Sequence, residues 1–332
     1  MSLEYPFPEV PAPGTTIEVA PGVHWLSMPL PFQLDHINLW LLEDTIVDTG
    51  IGNAETRALW DKVLGKKQVK RVILTHYHPD HAGNAAWLCQ RHGAELWTTQ
   101  GEYLTAHAVR TSSAGYTADA VLAVFRKNGL EEERAARMRA PRNRYAELVP
   151  EFPLSYRRII EADEIAIGPQ RWRAMIGHGH APEHLSLYAN SLNTVIAGDM
   201  LLSTISTNVS VWSIDPEGDP LRLFLDSIAR YRELAEDVLV LPSHGKPFRG
   251  AHRRVQQLES HHRDRLAELV QALKSPKSAA ELLSVLFKRP LDAHQTFFAM
   301  GEAIAHLHYL YYAGRADRSL GDDGIMRYAT SG

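Results

Sequence analysis

The chain has 332 residues, of which 45% are hydrophobic and 22% charged, so it can bury one large core, or a core and a smaller second domain. Lys and Arg number 35 against 39 Asp and Glu, and the formal charge of -4 favours neither a nucleic acid nor a membrane as partner. The N-terminal stretch MSLEYPFPEV does not have the charged and then apolar pattern of an export signal, and no long apolar run follows it, so we expect a cytoplasmic protein.

The first part of the chain, residues 15–48, alternates short β-forming runs with turn residues. The runs are TTIEV, VHWLSM, INLWLL and TIVD, separated by Pro, Gly or charged residues, which is typical of a strand meander. A helical pattern over residues 53–65 leads to the apolar run VKRVILT, to a second helical pattern from Asp80 to His92, and to the run ELWTT. Strands and helices therefore alternate from residue 53 onward.

A similar order of elements returns in the second half of the chain. RWRAMI, HLSLYA and NTVIA have the composition of strands, a helical pattern follows near residues 220–234, and VLVLP is the last apolar run. Two comparable halves of strands backed by helices predict an α/β fold in which two β-sheets are packed between helices, an αββα sandwich.

Two stretches depart from this alternation. Residues 101–153 have helical periodicity and many charges but no strand pattern, and we interpret them as a helical insertion. Residues 251–314 have a helical pattern, with Ser278 and Glu281 spaced as a capping box and Gly314 placed as a helix stop. RADRSL and IMRYA then flank the turn GDDG. Three helices and a hairpin predict a small, mainly helical, winged-helix-like domain over residues 251–332.

The strongest chemical pattern is THYHPDH, residues 75–81, in a chain with 17 histidines. It directly follows the apolar run VKRVIL. Alternation in an extended chain lets His76 and His78 face the same way, whereas a helix that begins near Asp80 turns Asp80 and His81 toward a second point. One segment could then serve two metal ions. The alternative is that Asp80 only caps a helix and that the histidines are surface loop residues.

Three further residues with metal-binding side chains stand beside apolar β-runs, near Gly or Pro. His180 lies in GHGHAPEH before HLSLYA, Asp199 ends NTVIAGD, and His244 ends VLVLPSH. His178 also follows a glycine, so it is an alternative to His180.

These segments together resemble the metallo-β-lactamase superfamily, whose recurring patterns are H-x-H-x-D-H, G-H-x-P-x-H, G-D, and a final G-H or S-H. All four occur in order within residues 15–250, which the resemblance identifies as the catalytic domain. The second pattern fits only the frame that begins at His180. The resemblance implies that the first metal is bound by His76, His78 and His180 and the second by Asp80, His81 and His244, with Asp199 bridging them and with Asp80 and Asp199 as catalytic groups.

The resemblance also implies two residues that support the ligands. Asp48 lies in a D-T-G element after TIV and would hydrogen-bond a ligating histidine, the alternative being a turn that ends a strand. His184 would support the site or begin the following strand rather than bind a metal.

Imidazole and carboxylate ligands suit zinc, with iron or manganese as alternatives, and few protein ligands per ion leave positions for water and substrate. We therefore expect two divalent ions per chain, with zinc as the first expectation. Two such ions lower the pKa of a bridging water to about 7, which provides a hydroxide nucleophile at neutral pH. The sequence predicts a dinuclear metal-dependent hydrolase.

The metal ligands alone do not indicate which bond the enzyme hydrolyses. We expect an ester-like bond of a small molecule, an acyl-thioester, ester or lactone, and the alternative is a phosphodiesterase or ribonuclease of the same fold. The C-terminal segment contains HHRDRLAELV, then an LL-x-x-LF helix, then AIAHLHYLYYAGR, and with these it resembles the winged-helix-like tail of a subgroup of β-lactamase-like hydrolases. Its eleven Lys and Arg against nine Asp and Glu give a net charge of only +2, which disfavours nucleic acid as a partner. We expect a structural role for this tail, or a role in forming a homodimer.

The insertion also contains candidate substrate contacts, which are Arg139, Arg142, Arg144 and Tyr145. Such contacts would favour an anionic substrate. The alternative is that these residues form a solvated face.

A mononuclear iron persulfide dioxygenase also resembles this superfamily, but it depends on the first metal site alone. A noncatalytic member would have lost some ligands. The presence of all seven ligand residues disfavours both alternatives.

Overall fold

The computed structural model of the protein describes residues 3–31, 34–113, 115–139 and 143–331. The strands are β1 Thr16–Ala20, β2 Val23–Pro29, β3 His36–Leu42, β4 Thr45–Val47, β5 Arg71–Ile73, β6 Glu95–Thr98, β7 Arg157–Arg158, β8 Glu164–Ile167, β9 Gln170–Gly177, β10 His184–Ala189, β11 Thr194–Gly198, β12 Leu239–Pro242, β13 Ala316–Leu320 and β14 Met326–Thr330. The helices are α1 Ala54–Leu64, α2 Pro79–Ala82, α3 Ala85–His92, α4 Gln100–Arg110, α5 Ala118–Lys127, α6 Glu132–Met138, α7 Arg144–Leu148, α8 Pro220–Ala229, α9 Ala251–Ala272, α10 Leu283–Leu286 and α11 Ala293–Tyr312. Short 3-10 helices cover Asn190–Leu192, Arg230–Glu233 and Ala280–Leu282.

The chain forms two compact units, each built from separate stretches of sequence. The first contains residues 1–111, 144–207 and 227–255, and the second contains residues 112–143, 208–226 and 256–332. The predicted domains, residues 15–250 and 251–332, are continuous in sequence, whereas these units interleave along the chain. Within the described residues, no helix has the length and apolar character needed to cross a membrane.

Two sheets make up the centre of the first unit. The seven-stranded sheet follows chain order from β1 to β7; its first four strands are antiparallel neighbours, and β4 to β7 run parallel. The five-stranded sheet has the order β12-β11-β10-β9-β8, with only β11 and β12 parallel. The predicted αββα sandwich, followed by a mainly helical C-terminal part, is confirmed. Strands β7 and β8 were not predicted, although EIAI in β8 alternates between exposed and buried positions.

Strand β3 shows why both faces of the larger sheet are buried. Ile37, Leu39 and Leu41 face one hydrophobic core together with Trp60 of α1. Trp40 and Leu42, at alternate positions, face a second core that includes residues from strands of the smaller sheet. Successive side chains of a strand point to opposite faces, so an almost unbroken apolar strand fits between a layer of helices and a second sheet.

The predicted helix over residues 53–65 is confirmed, and the Asn53 side chain caps its first turn. The prediction of one helix from Asp80 to His92 is wrong, because Gly83 and Asn84 divide it into α2 and α3. A Cβ atom on Gly83 would lie 2.4 Å from the backbone nitrogen of Gly52, so only glycine permits this close approach of two loops. The Asn84 side chain then donates a hydrogen bond to the Ile51 carbonyl at 2.6 Å.

The C-terminal part of the second unit contains the predicted helices and hairpin. The carboxylate of Glu281 accepts the backbone N–H of Ser278 at 2.8 Å, which confirms the contact expected from the capping-box spacing. Helix α11 ends just before Gly314, whose φ of +67° is in the left-handed region that glycine adopts at helix ends. Strands β13 and β14 then form an antiparallel hairpin.

Candidate metal centre

The predicted metal ligands follow the ends of strands in both sheets of the first unit. His76, His78, Asp80 and His81 follow β5, His180 lies between β9 and β10, Asp199 follows β11, and His244 follows β12. The Leu185 N–H donates to the Thr75 carbonyl at 2.8 Å, so a backbone hydrogen bond joins β10 to the loop after β5. Strand ends are rigid supports, and they bring residues far apart in sequence to one place.

Four of these residues form what we call the first group: His76, His78, His180 and Asp199. The His76 Nε2 atom lies 2.9 Å from His78 Nδ1 and 3.3 Å from His180 Nε2. The Asp199 Oδ2 atom lies 3.4 Å from His180 Nε2 and 3.9 Å from His76 Nε2. Three imidazole nitrogens and one carboxylate oxygen thus surround one point.

The other three form the second group: Asp80, His81 and His244. The Asp80 Oδ2 atom lies 3.3 Å from His244 Nε2 and 3.6 Å from His81 Nε2. The second oxygen of Asp199, Oδ1, lies 3.6 Å from His244 Nε2 and 3.7 Å from His81 Nε2. Asp199 therefore presents one oxygen atom to each group.

These distances fit divalent metal ions. With Zn–N distances of about 2.0–2.1 Å, neighbouring ligand atoms of a tetrahedral zinc site lie about 3.3 Å apart. Within each group, the pairs of ligand atoms given above lie 2.9 to 3.9 Å apart. Among the described residues, no group hydrogen-bonds to the buried atoms His81 Nε2 and Asp199 Oδ1, and buried polar atoms of this kind call for a partner such as a cation. The donor set also matches the N and O ligands that zinc, iron and manganese accept.

Asp48 supports His81, as the sequence predicts for this residue. The fully buried Asp48 Oδ2 lies 2.8 Å from His81 Nδ1, and its carboxylate also accepts the backbone N–H and the hydroxyl of Thr75, each at 2.8 Å. A histidine whose Nδ1–H donates to a carboxylate keeps the lone pair of its Nε2 for a metal. Here that Nε2 is the atom that faces the second group.

His244 and His184 have equally definite partners. The Nδ1 of His244 lies 3.0 Å from the His36 carbonyl, which orients its Nε2 toward the second group. The Nε2 of His184 accepts the backbone N–H of Asp199 at 3.1 Å, so this buried ring positions Asp199 and lies outside both groups. His178 is exposed and its Nδ1 lies 2.7 Å from the Pro182 carbonyl, so of the two neighbouring histidines it is His180 that joins the first group.

Two histidines of the first group are neutral. Burial lowers the pKa of His78 to about 3, and burial also holds the pKa of His76 well below its usual value. Their ring nitrogens therefore keep lone pairs, which is the form that binds a metal.

The second group is arranged around opposite charges. Burial lowers the pKa of His81, but the carboxylates of Asp48 and Asp80 outweigh burial and raise this pKa to about 10. Burial raises the pKa of Asp80, but His81 and His244 outweigh it and lower this pKa to about 2. A proton on His81 balances the carboxylates, and a bound cation would take its place.

The predicted substrate contacts lie in different surroundings. The guanidinium of Arg139 donates to the Asp119 carboxylate at 2.9 Å in the second unit, and Arg144 lies exposed at the start of α7 in the first unit. Arg142 lies outside the described residues. Tyr145 is half-buried, and its hydroxyl donates to the carbonyl of Tyr77, which stands between two ligands of the first group, at 2.6 Å. This tyrosine therefore supports the metal-binding loop through its hydroxyl, a role that its sequence context did not indicate.

Glu102 is a residue of this region that the sequence did not reveal. It is 1% exposed, and its carboxylate accepts the backbone N–H of Tyr77 at 2.9 Å and that of Glu183 at 2.7 Å. A single glutamate in a helical stretch matches no ligand pattern. The only available indication was its place in the first turn of a helix that directly follows a strand.

Comparison with known families agrees with this geometry. Residues 34–244 match the family described as the Metallo-beta-lactamase superfamily, which is more than half of the chain and includes all seven residues of the two groups. The chain belongs to the metallo-β-lactamase superfamily. Residues 266–331 match the family described as Metallo-beta-lactamase-like, C-terminal domain, so the tail also has relatives in such proteins. Membership supports a metal-dependent enzyme, because proteins of this superfamily usually bind divalent metals.

Individual relatives extend over nearly the whole chain. The probable metallo-hydrolase YqjP of Bacillus subtilis (strain 168) is 23% identical over 299 residues, which cover 86% of this chain and 91% of that protein. The crystal structure of a Beta-lactamase domain protein from Burkholderia ambifaria is 45% identical, with a TM-score of 0.92 over 99% of this chain and 98% of that chain. A metallo-beta-lactamase family protein from Thermus thermophilus is 29% identical, with a TM-score of 0.81 over 95% and 100% of the two chains.

Proposed function

We propose that this protein is a dinuclear metal-dependent hydrolase. The first group would hold one divalent ion and the second group another, with Asp199 as a ligand of both. The observation that carries the proposal is the position of Asp199, whose Oδ2 lies 3.4 Å from His180 Nε2 while its Oδ1 lies 3.6 Å from His244 Nε2. Zinc is the expected metal, and iron and manganese are the alternatives.

Divalent ions bound by the two groups would lower the pKa of a water ligand to about 7 and so would supply a hydroxide at neutral pH. The residues of the chain have separate tasks around this chemistry. Burial raises the pKa of Asp199, but His244 and then His81 outweigh it and hold this pKa well below the usual range, so its carboxylate stays negative. The carboxylate of Asp80 is ionised as well, and we propose that it accepts a hydrogen bond from the attacking hydroxide and so orients it.

For the substrate, we propose an ester-like carbonyl compound of low molecular weight, an acyl-thioester, ester or lactone. The support is the charge of the C-terminal residues 251–332. They have eleven Lys and Arg against nine Asp and Glu, which is less basic than a nucleic-acid-binding domain usually is. Cleavage of a phosphodiester or of RNA by the same site is the competing proposal.

A hydrolysis panel on metal-loaded protein tests the choice of bond. The panel contains acyl-thioesters, lactones, aryl esters, a chromogenic lactam, aryl phosphodiesters and single-stranded RNA. We expect turnover of one carbonyl class, and we expect Asp199→Asn to abolish it because both groups lose a charged ligand. Metal-dependent cleavage of RNA with no turnover of any ester would reverse the order of the two proposals. Oxygen consumption with a persulfide, in protein that holds a single iron, would replace both with a dioxygenase.

The cellular location and the assembly are also part of the proposal. We propose a cytoplasmic protein that forms a homodimer through its C-terminal residues 251–332. Light scattering of the full chain tests the dimer, and a monomer at micromolar concentration would contradict it.

A further inference from the structure

The first group takes its histidines from two separate loops, which we call the ligand loops: residues 75–81 and residues 178–184. The spacing between them decides whether the nitrogens of His78 and His180 can reach one ion. Among the described residues, one direct backbone hydrogen bond links them, from the N–H of Leu185, just after the second loop, to the Thr75 carbonyl at 2.8 Å. That bond lies at the edge of each loop, so the interior of the loops needs other support.

The beginning of α4 provides contacts to the second ligand loop. The Thr99 hydroxyl donates to the Glu183 carbonyl at 2.8 Å, and the Gly101 N–H donates to the Glu183 carboxylate at 2.7 Å. A Cβ atom on Gly101 would lie 3.0 Å from the Glu183 side chain, so the two segments are in close contact. The loop is thus attached to the first turn of the helix.

Glu102 in the same turn joins both loops. Its Oε1 accepts the Glu183 N–H at 2.7 Å, and its Oε2 accepts the Tyr77 N–H at 2.9 Å. Tyr77 stands between the ligands His76 and His78, and Glu183 stands three residues after His180. A carboxylate has two acceptor oxygens, and here each oxygen holds a different ligand loop.

The other backbone group of Tyr77 is held from a different direction. Its carbonyl accepts the Tyr145 hydroxyl at 2.6 Å. Both backbone polar groups of this residue are therefore fixed by side chains, and Tyr77 itself is 8% exposed. Hydrogen bonds to buried backbone groups are costly to remove, because the group left behind has no water to replace its partner.

We propose that Glu102 is a positioning residue that sets the separation of the two ligand loops and thereby the affinity of the first group for its metal ion. This inference rests on the proposed function, because it takes the first group to be a metal site. Replacing Glu102 should change the metal affinity of the first group and leave that of the second group unchanged. Partners that orient metal ligands typically change metal affinity by about 10–100-fold when they are removed.

The experiment isolates one group at a time in the full-length protein. His244→Ala removes a ligand of the second group and leaves the first group to bind Zn²⁺, whereas His78→Ala leaves the second group. In the His244→Ala background we expect Glu102→Ala to weaken Zn²⁺ binding by about 10–100-fold in a chelator competition titration. In the His78→Ala background, Glu102→Ala should leave Zn²⁺ affinity unchanged. A residue that merely stabilised the fold would lower both affinities together.

Two further variants keep the test decisive. Glu102→Gln has the same size but one acceptor oxygen, so it should give a smaller loss than Glu102→Ala, and it decides the question if Glu102→Ala does not fold. Glu161→Gln is the matched control, because the Glu161 carboxylate also accepts a backbone N–H, that of Ile176 at 2.7 Å. It should leave both affinities unchanged. Unaltered Zn²⁺ affinity of the first group in folded Glu102→Gln and Glu102→Ala would overturn the proposal.

The readout is separate from catalysis. If the unmodified protein binds Zn²⁺ but hydrolyses no ester in the panel, the proposed bond type fails and the comparison of affinities still stands. If ester turnover is found and the affinity of the first group does not respond to Glu102, only the positioning role fails.

Discussion

The carboxylate of Asp48 lies directly behind His81, with 2.8 Å between Asp48 Oδ2 and His81 Nδ1. Asp48 adopts a φ of +60°, a left-handed conformation that Asn and Asp tolerate better than most residues. Asn can therefore replace Asp48 without a new backbone conformation. What changes is the charge and one of the two acceptor oxygens.

Asp48→Asn should weaken Zn²⁺ binding at the second group by about 10–100-fold, since His81 loses the carboxylate that orients it. Thr75 donates both its N–H and its hydroxyl to Asp48. The side-chain NH2 of an asparagine at position 48 would itself be a donor, so it could not replace the acceptor oxygen. Chelator competition in the His78→Ala background measures the effect. Zn²⁺ affinity equal to that of His78→Ala alone would show that Asp48 does not support the metal site.

Gly198→Ala should damage the site through His184. The φ of Gly198 is +56°, and a Cβ atom there would lie 2.5 Å from the His184 ring. The left-handed conformation alone costs a non-glycine residue about 1–2 kcal/mol, and the contact with His184 adds to it. Urea unfolding should therefore show that the free energy of unfolding falls by more than this conformational cost. Metal binding should weaken as well, because His184 accepts the Asp199 N–H.

Gly93→Ala is the control for that variant. Gly93 has a left-handed φ of +65°, and no heavy atom of the described residues lies within 4 Å of the added Cβ. It should lose only the conformational cost of about 1–2 kcal/mol and keep its metal affinity. Equal losses of stability and of metal binding in the two variants would show that the His184 contact is unimportant.

A pair of buried histidines in the second unit should make stability depend on pH. His262 Nδ1 lies 3.1 Å from His306 Nε2, and His306 Nδ1 lies 2.8 Å from the Glu302 carbonyl. Burial lowers the pKa of His262 to about 3 and that of His306 to about 4. Unfolding returns both pKa values to about 6.5, so below that pH the unfolded chain binds more protons than the folded one, and stability falls as the pH falls.

His262→Gln removes one of these titrating groups. Between pH 7.5 and pH 5, the native protein should lose about 1–2 kcal/mol more of its free energy of unfolding than His262→Gln does. Urea unfolding at the two pH values measures this difference. A second comparison uses about pH 8.5 and 7.5, where neither the folded nor the unfolded chain takes up protons at His262. Between these two pH values, the free energy of unfolding should change by the same amount in both proteins. An identical loss of stability at pH 5 in both would contradict the assignment of a neutral, buried His262.

The parts of the molecule that the sequence predicts well are those encoded locally. H-x-H-x-D-H directly after an apolar run identifies a loop at a strand end, and the structure places all four of its metal-binding side chains in the two groups. His180, Asp199 and His244 were recognisable because each also stands beside an apolar β-run. The alternation of apolar residues likewise predicted most strands of both sheets.

The parts that could not be predicted depend on contacts between distant residues. The break between α2 and α3 arises because Gly83 packs against the backbone of Gly52, and nothing in the helical pattern of residues 80–92 shows that neighbour. Glu102 and Tyr145 meet Tyr77 only in the folded chain, 25 and 68 residues away in sequence. Such residues belong to no sequence motif, although their hydrogen bonds fix the loop that carries the ligands.

The most direct test of two ions that share Asp199 is the metal content of His244→Ala, measured together with its turnover. Loss of a ligand from the second group should lower the metal content from about two ions per chain toward one. It should also reduce the rate of hydrolysis as severely as His76→Ala does, since both ions would stabilise the transition state. His252→Ala is the control, because His252 lies in α9 beside the Leu234 carbonyl and should leave both values unchanged. One metal ion per chain both before and after the His244→Ala change, with nearly unaltered activity, would contradict the dinuclear account.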